Sequence, residues 1–134
     1  MSYGMTAELQ AAVFATLQGD AALEAVVGGA IYDALPDGAV PALFVSLGPE
    51  KVRDASDKIA GAALHDFSVS VISDAAGFQS AKQAAAAVSD AVLGAELALG
   101  RGQVARLSFL KARAVKNTAG RRIDIWFRAL LDDG

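Results

Sequence analysis

The sequence predicts an α+β fold in which two main helices pack on one face of a largely antiparallel four-stranded sheet. Apolar residues recur at helical spacing in two segments, at residues 6–18 and 73–93. Strand patterns occupy four segments, at residues 42–47, 66–72, 104–115 and 122–131. This order of helices and strands, within a chain of 134 residues, indicates one domain over residues 1–134.

The N-terminal part predicts a short amphipathic helix and then a further helical turn or two. Thr6 is a candidate N-cap, and Gly19 ends the apolar run that follows at helical spacing. Asp20 is a candidate cap for the second segment, which ends at Gly28. A turn at residues 35–38 then leads towards the first confident strand.

A long polar segment separates the first two predicted strands. It covers residues 48–63, here called the arm, and follows the strand at residues 42–47. Connections inside a domain are typically about 4–6 residues long, and much longer ones are usually functional or disordered. We therefore expect the arm to be a long functional loop that reaches a partner.

The middle of the chain predicts a strand followed by the second main helix. Apolar and polar residues alternate over residues 66–72, which is the pattern of a strand with one buried face. Ser73 or Asp74 can then cap a helix with one apolar stripe that ends before Gly94. Alanines in this helix allow it to lie close to the sheet.

The C-terminal part predicts an antiparallel hairpin with its turn at residues 116–121. In the last strand Ile123, Ile125 and Phe127 share the core face, which leaves Trp126 on the other face. In the preceding strand the apolar residues change phase near Phe109, and we interpret this change as a β-bulge.

Charge is divided unevenly along the chain, although the net charge is only −3. Residues 1–100 carry four Lys or Arg against twelve Asp or Glu, whereas residues 101–134 carry eight against three. One interpretation is that the cations protect the wet face of the last two strands from aggregation. The other is that a basic surface meets an acidic one on a neighbouring subunit. The two interpretations are compatible with each other.

Composition argues against several classes of protein. There is no cysteine, so disulfides and thiolate metal sites are excluded. The N-terminus does not resemble a signal peptide, and no run of about 18 apolar residues occurs, so we expect a cytosolic protein without a membrane segment. His65, the one histidine, lies beside Asp66 where a strand begins, and we interpret it as a satisfied or solvent-facing structural residue.

The sequence predicts no catalytic, cofactor-binding or metal site, and therefore no enzyme. Residues 100–105 match G-x-G-x-x-A, but they follow a helix and lead into a strand, opposite to the dinucleotide-binding order. The carboxylate pairs Asp33 with Asp37 and Asp132 with Asp133 lack the flanking oxygen ligands of a calcium loop.

Nucleic-acid binding is a further hypothesis, because basic residues crowd the predicted hairpin. Eight of them could neutralise phosphates: Arg101, Arg106, Lys111, Arg113, Lys116, Arg121, Arg122 and Arg128. The acidic isoelectric point near 5.0 and the scarcity of interleaved aromatic residues argue against this hypothesis.

Trp126 is the only tryptophan, and its neighbours on the non-core face are Asp124 and Arg128. It either lies over its own sheet or under the arm with an Arg stacked on it, or it anchors a subunit interface, where Trp and Arg are frequent hot spots.

Several motifs together resemble the small tail-completion or tail-terminator proteins of long-tailed bacteriophages and gene transfer agents. The matching residues are Gly28, Gly29, Ile31 and Tyr32, then Arg53 and Asp54 in the arm, then Ser73, Gly77 and Phe78, and finally Phe127, Arg128 and Ala129. The resemblance covers nearly the whole chain, and none of these motifs is a catalytic signature.

The resemblance implies a structural role in a virion or gene-transfer-agent tail, assembled in the bacterial cytoplasm. Proteins of this family are similar in forming a ring, commonly a hexamer, that caps the tail tube and stops its elongation. The implied partners are other copies of the chain, the major tail tube protein and the head-side connector or stopper, with DNA passing through the bore without sequence-specific binding. No cofactor and no membrane are implied.

We further hypothesise that the arm and one patch of the last strand form the subunit and tube contacts. The candidate interface residues are Glu50, Lys51, Arg53, Asp54, Asp57, Lys58, Trp126 and Arg128. The alternative functions are a head-side connector component, such as a stopper or adaptor, and a small nucleic-acid-binding module.

Overall fold

The computed structural model describes residues 3–57, 59–118 and 120–133, which form three helices and five strands. The helices are α1 (Thr6–Gln18), α2 (Ala21–Val27) and α3 (Gln79–Gly94). The strands are β1 (Ile31–Tyr32), β2 (Leu43–Asp54), β3 (Ala62–Ser73), β4 (Gln103–Asn117) and β5 (Gly120–Asp132). The α+β class predicted from the sequence is confirmed.

The strands form one sheet in the order β1-β2-β3-β5-β4, so the predicted four-stranded sheet gains a fifth strand. The additional strand, β1, runs parallel to β2 and pairs Ile31 with Val45 and Tyr32 with Ser46. All other neighbours are antiparallel. Two residues are too few to show an alternating pattern, which is why the sequence did not reveal β1.

The predicted arm is not a long loop. Residues 48–54 continue β2 and residues 62–63 begin β3, so only residues 55–61 connect the two strands. Pairing passes from Leu47 opposite Val69 to Glu50 opposite Phe67, which places one extra residue in β2. This bulge accommodates a proline that cannot donate a ladder hydrogen bond. The prediction of an irregular segment was therefore wrong.

Gly48 allows the bulged backbone to lie against the central strand β3. A Cβ atom at this position would lie 2.4 Å from Ser68 Oγ. The same hydroxyl donates a hydrogen bond of 2.8 Å to the Pro49 carbonyl oxygen. Gly48-Pro49, which resembles a strand terminator in the sequence, is thus part of a fixed bulge within a continuous strand.

The helix ends agree only partly with the prediction. Asp20 caps α2 as expected, since its carboxylate accepts a hydrogen bond of 2.9 Å from the Leu23 amide. Thr6 does not cap α1, because its hydroxyl donates to the Tyr3 carbonyl oxygen instead. Ser73 belongs to β3 and accepts a hydrogen bond from the Ala75 amide, so α3 begins later, at Gln79.

The main core lies between the helices and one side of the sheet, here called the helix side. The apolar stripe of α3 is buried, as predicted, with Val88 and Val92 fully inaccessible to solvent. On β3 and β5 the rings of Phe67 and Phe127 stack with their centroids 5.4 Å apart. A second, smaller cluster contains Leu64 and Leu130 near the end of the sheet that the arm forms.

The hairpin of β4 and β5 contains two register shifts. One shift lies between Phe109 and Lys111, which confirms the predicted bulge, and another lies between Val104 and Arg106. β4 is an outer strand of 15 residues, and β2 is covered by β1 only over Val45 and Ser46. The sheet therefore has two long outer edges.

Candidate interaction surface

The side of the sheet opposite the helices, here called the open face, carries most of the positive charge of the chain. Strand register assigns seven Lys or Arg and three Asp to it, a net charge of +4 among the described residues. The basic residues are Lys51, Arg53, Arg106, Lys111, Arg113, Arg122 and Arg128, and the acidic ones are Asp66, Asp124 and Asp132.

The bulge in β4 is what brings these cations onto one face. Arg106 lies opposite Leu130, and Lys111 lies opposite Trp126, although one residue has an even number and the other an odd number. If Leu110 took a regular place in the ladder, strict alternation would direct Arg106 and Lys111 to opposite sides of the sheet. The sequence shows that basic residues are concentrated in this region, and the strand register shows which face of the sheet each of them occupies.

The eight basic residues of the predicted nucleic-acid stripe do not form one surface. Five of them lie on the open face, whereas three lie elsewhere. Arg101 pairs with Asp133 at 2.6 Å. Arg121 donates to the Ala76 carbonyl oxygen and lies over the ring of Phe78, and Lys116 shares its side of the sheet. The second half of β2 adds Lys51 and Arg53 to the basic residues of the open face.

Arg128 and Asp66 form a bidentate ion pair across β3 and β5. Arg128 Nε donates to Asp66 Oδ1 at 2.7 Å, and Arg128 Nη2 donates to Asp66 Oδ2 at 2.9 Å. The side chain of Asp66 is 13% exposed and that of Arg128 is 34% exposed. The hydrogen bonds from Arg128 lower the pKa of Asp66, so this carboxylate stays charged on the open face.

A second polar network lies further along the open face. The Ser70 hydroxyl donates to Asp124 Oδ1 at 2.6 Å, and Arg122 Nε donates to the same oxygen at 2.8 Å. Arg122 also reaches the Ser70 hydroxyl with its Nη2 atom at 3.3 Å. Asp124 thus neutralises Arg122, and the network links these side chains across β3 and β5.

Trp126 lies near the middle of the open face and is half-buried. It is opposite Ser68 on β3 and Lys111 on β4, and the Lys111 ammonium lies 5.7 Å from the centroid of its ring. Both lie beside a shallow depression that Leu110 also lines. The expected Arg stack is therefore a Lys contact, and an aromatic ring with a neighbouring cation is a common interface anchor.

The candidate interface residues of the arm are divided between the two sides of the sheet. Lys51 and Arg53 point to the open face with Trp126 and Arg128. Glu50 and Asp54 belong to the helix side, where Glu50 accepts a hydrogen bond from the Tyr3 hydroxyl and Asp54 accepts one from Ser56. Asp57 is exposed in the connecting loop, and Lys58 lies outside the described residues.

His65 is neither satisfied nor solvent-facing, contrary to the prediction. It lies in the central strand between Val52 on β2 and Ala129 on β5, and its side chain is 0% exposed. Neither ring nitrogen has a hydrogen-bond partner within the part of the chain that the structure describes. Burial lowers the pKa of His65, since the charged imidazole is poorly solvated there.

The helical layer carries the opposite charge. Residues 3–42 and 74–102, which contain the three helices and their connections, hold eight Asp or Glu against Lys82 and Arg101, a net charge of −6. Glu24 on α2 and Asp90 on α3 are exposed, and these two helices pack against each other. Basic and acidic surfaces thus lie on opposite sides of one sheet.

The net positive charge of the open face suits it to bind an anionic surface.

Across residues 3–57, 59–118 and 120–133, no group of three or more His, Cys, Asp or Glu side chains could hold a metal ion. In the same residues, no helix has the length and apolar character needed to span a membrane.

Comparisons with family models and with solved structures both give matches. The family model for tail completion protein gp17 matches residues 11–132. The chain is also 55% identical to a chain in the solved structure of the virion of a native gene transfer agent particle, with a TM-score of 0.90. That match covers 97% of this chain and 98% of the other. No protein with a curated description matches the sequence.

Proposed function

Because the chain belongs to the tail completion protein gp17 family, we propose that it is the tail terminator of a phage or gene-transfer-agent particle. In this role it forms a ring, a hexamer in our proposal, that caps the finished tail tube and stops its elongation. The ring then joins the tube to the head-side connector, and DNA passes through its bore. Assembly takes place in the bacterial cytoplasm.

One observation carries the proposal: the likeness to the virion chain extends over nearly the full length of both chains. A match of that extent includes both the helical layer and the sheet, so any surfaces used for assembly lie within the shared fold. The segregation of charge to opposite sides of the molecule supports the ring. Copies related by a ring need two different, complementary surfaces rather than one self-complementary surface.

The proposed interface uses residues on the open face and at the connected end of the β2–β3 hairpin. Lys51, Arg53, Trp126 and Arg128 belong to the open-face part of this interface. Residues 48–54 of the arm are a paired part of the sheet, so they present their side chains on a fixed surface. Glu50 and Asp54 on the helix side and Asp57 in the connecting loop complete the proposed set, and they offer a contact to the tube or to a neighbouring subunit.

Controlled tube growth tests the proposal. Purified tube protein is polymerised with and without this protein, and tube lengths are measured by electron microscopy. We expect long, unequal tubes without it and shorter, capped tubes with it, with labelled protein at tube ends only. Unchanged tube lengths together with no label at the ends would contradict the terminator role.

A pull-down distinguishes the terminator from a head-side connector component. The tagged protein is incubated separately with assembled tubes, tube monomers and connector protein. A terminator is expected to retain assembled tubes and, once bound to them, connector protein. Retention of connector protein alone would assign the chain to the head side of the junction.

A further inference from the structure

We propose that the open face of one copy docks on the helical layer of a second copy, with the Lys111–Trp126 site seated against the Asp90 region of α3. This inference rests on the proposed ring and specifies which two surfaces meet in it. The occupant is another copy of the chain because the chain itself supplies the complementary surface.

The charges of the two surfaces are complementary. The open face carries +4 and the helical layer −6 among the described residues, so juxtaposing them removes repulsion within each surface and adds attraction between them. Pairings of like surfaces, basic on basic or acidic on acidic, would bring like charges together and repel. Charge therefore favours the contact between unlike surfaces over a symmetric face-to-face dimer.

The positions of the two surfaces determine how contacts continue. They lie on opposite sides of the same sheet, so a copy that uses its open face still has its helical layer available. Each copy can then contact one neighbour on each side, which is a heterologous, head-to-tail arrangement. Such an arrangement forms a closed ring when the rotation between copies closes.

The apolar groups of the two surfaces also match. On the open face, Leu110 and the half-buried ring of Trp126 lie beside the Lys111 ammonium. On α3, Asp90 and Leu93 are three residues apart and so lie on one helical face, and Leu93 is 42% exposed. Each surface thus presents one charged group beside an apolar group, with opposite sign.

Double-stranded DNA is the competing occupant of a basic face. Two of the seven cations are already neutralised, Arg128 by Asp66 and Arg122 by Asp124, which reduces the charge available to phosphates. Trp126 is half-buried under Lys111 and offers little free ring surface for base stacking. These contacts favour a protein surface with its own apolar groups over a phosphate backbone.

Charge reversal with complementation tests the contact. The open-face variant is Lys111→Glu and the helical-layer variant is Asp90→Lys. The matched control is Lys116→Glu, which makes the same charge change on the same strand but on the helix side. Circular dichroism and thermal melting first confirm that each variant is folded. Sedimentation velocity then measures self-association at about 0.05 M and about 0.5 M salt.

We expect wild-type association to be stronger at low salt and each single reversal to weaken it about tenfold or more. Mixing the two variants, or combining both reversals in one chain, should restore association because opposite charges face each other again. The Lys116→Glu control should associate like wild type. Unchanged association of Lys111→Glu, or no recovery in the double reversal, would overturn the inference.

Two further outcomes separate this inference from its premise and from its rival. If wild-type protein caps tubes as a ring while Lys111→Glu caps them equally well, the terminator role stands and the docking inference fails. If the protein stays monomeric at low salt and on tube ends, both fail. If Lys111→Glu abolishes binding to a short DNA duplex but leaves self-association intact, the open face is a nucleic-acid surface instead.

Discussion

His65 is an ionisable side chain enclosed by strands on both sides, with both ring nitrogens unpaired among the described residues. A buried polar atom without a partner costs about 1–3 kcal/mol of desolvation. The histidine therefore lowers the stability of the isolated chain. Sequence reasoning missed this because a single histidine at the start of a strand gives no indication of the strands that flank it.

Substituting His65→Leu, which is similar in size and has no polar atoms, should raise the free energy of unfolding by about 1 kcal/mol at neutral pH. The difference should grow as the pH falls below 6.5, the ordinary pKa of histidine. In that range the unfolded chain takes up a proton that the folded chain binds only at lower pH, so the wild type loses stability. Denaturant unfolding at several pH values measures the effect, and parallel pH curves for the two proteins would contradict it.

The Asp66–Arg128 pair gives a second test at a single site. Replacing Arg128→Met keeps the aliphatic stem but leaves Asp66 without its bidentate partner, so we expect a loss of about 1 kcal/mol at neutral pH. Since Arg128 lowers the pKa of Asp66, this contribution exists above the ordinary value of 3.8 and is lost as the pH falls through the folded pKa.

The measurement is a pair of pH-dependent unfolding curves for wild type and Arg128→Met, with an NMR titration of the Asp66 carboxyl. We expect the curves to converge in acid and the pKa of Asp66 to rise in the variant. Arg106→Met, on the same face and opposite Leu130 rather than a carboxylate, serves as the matched control. A constant gap between the curves at all pH values would rule out the ion pair as the cause.

Among the elements, the β4–β5 hairpin depends on one glycine. Gly120 begins β5 with φ +143, and a Cβ atom there would lie 2.1 Å from the Ser73 carbonyl oxygen. Gly120→Ala should therefore destabilise the protein by about 2 kcal/mol or more, because backbone rather than a movable side chain is in the way. Gly77→Ala, where nothing lies within 4 Å, is the matched control and should change little. Thermal melting compares the two variants, and equal melting temperatures would refute the steric argument.

How far the sequence predicts each element depends on how strongly its pattern is constrained. β5 alternates without interruption because one of its faces is fully buried, and α2 has a clear cap at Asp20, so both were predicted correctly. The second half of β2 was missed because charged residues on both faces of an outer strand conceal the alternation. The bulge at Phe109 was visible as a phase change, yet its consequence for Arg106 and Lys111 required the register of β5.

The candidate surface was predictable only in part for the same reason. Composition revealed a basic C-terminal region, and parity placed Trp126 and Arg128 away from the core. Neither showed that Lys51 and Arg53 would join them, since that depends on residues 48–54 being a paired strand. The acidic helical layer comes from residues scattered over two segments, and only the fold brings them to one side.

For the whole molecule, the single tryptophan is a built-in reporter of assembly. If the open face is covered when copies associate, Trp126 fluorescence should shift to shorter wavelength and become less accessible to acrylamide as protein concentration rises. The physical reason is the transfer of a half-buried ring out of water. Fluorescence titration alongside sedimentation checks this, with Lys111→Glu as the control in which the shift is delayed to higher concentration. Association without any spectral change would place Trp126 outside the contact.

The two long outer edges of the sheet also affect whether the unassembled protein aggregates. A long uncovered strand presents unpaired amide and carbonyl groups, which can pair with another chain and cause aggregation. Here Pro49 has no amide hydrogen, and the bulges at Gly48-Pro49, Ala105 and Leu110 interrupt the regular ladder on both rims. Newly made protein can thus remain at high concentration without its outer strands pairing between copies.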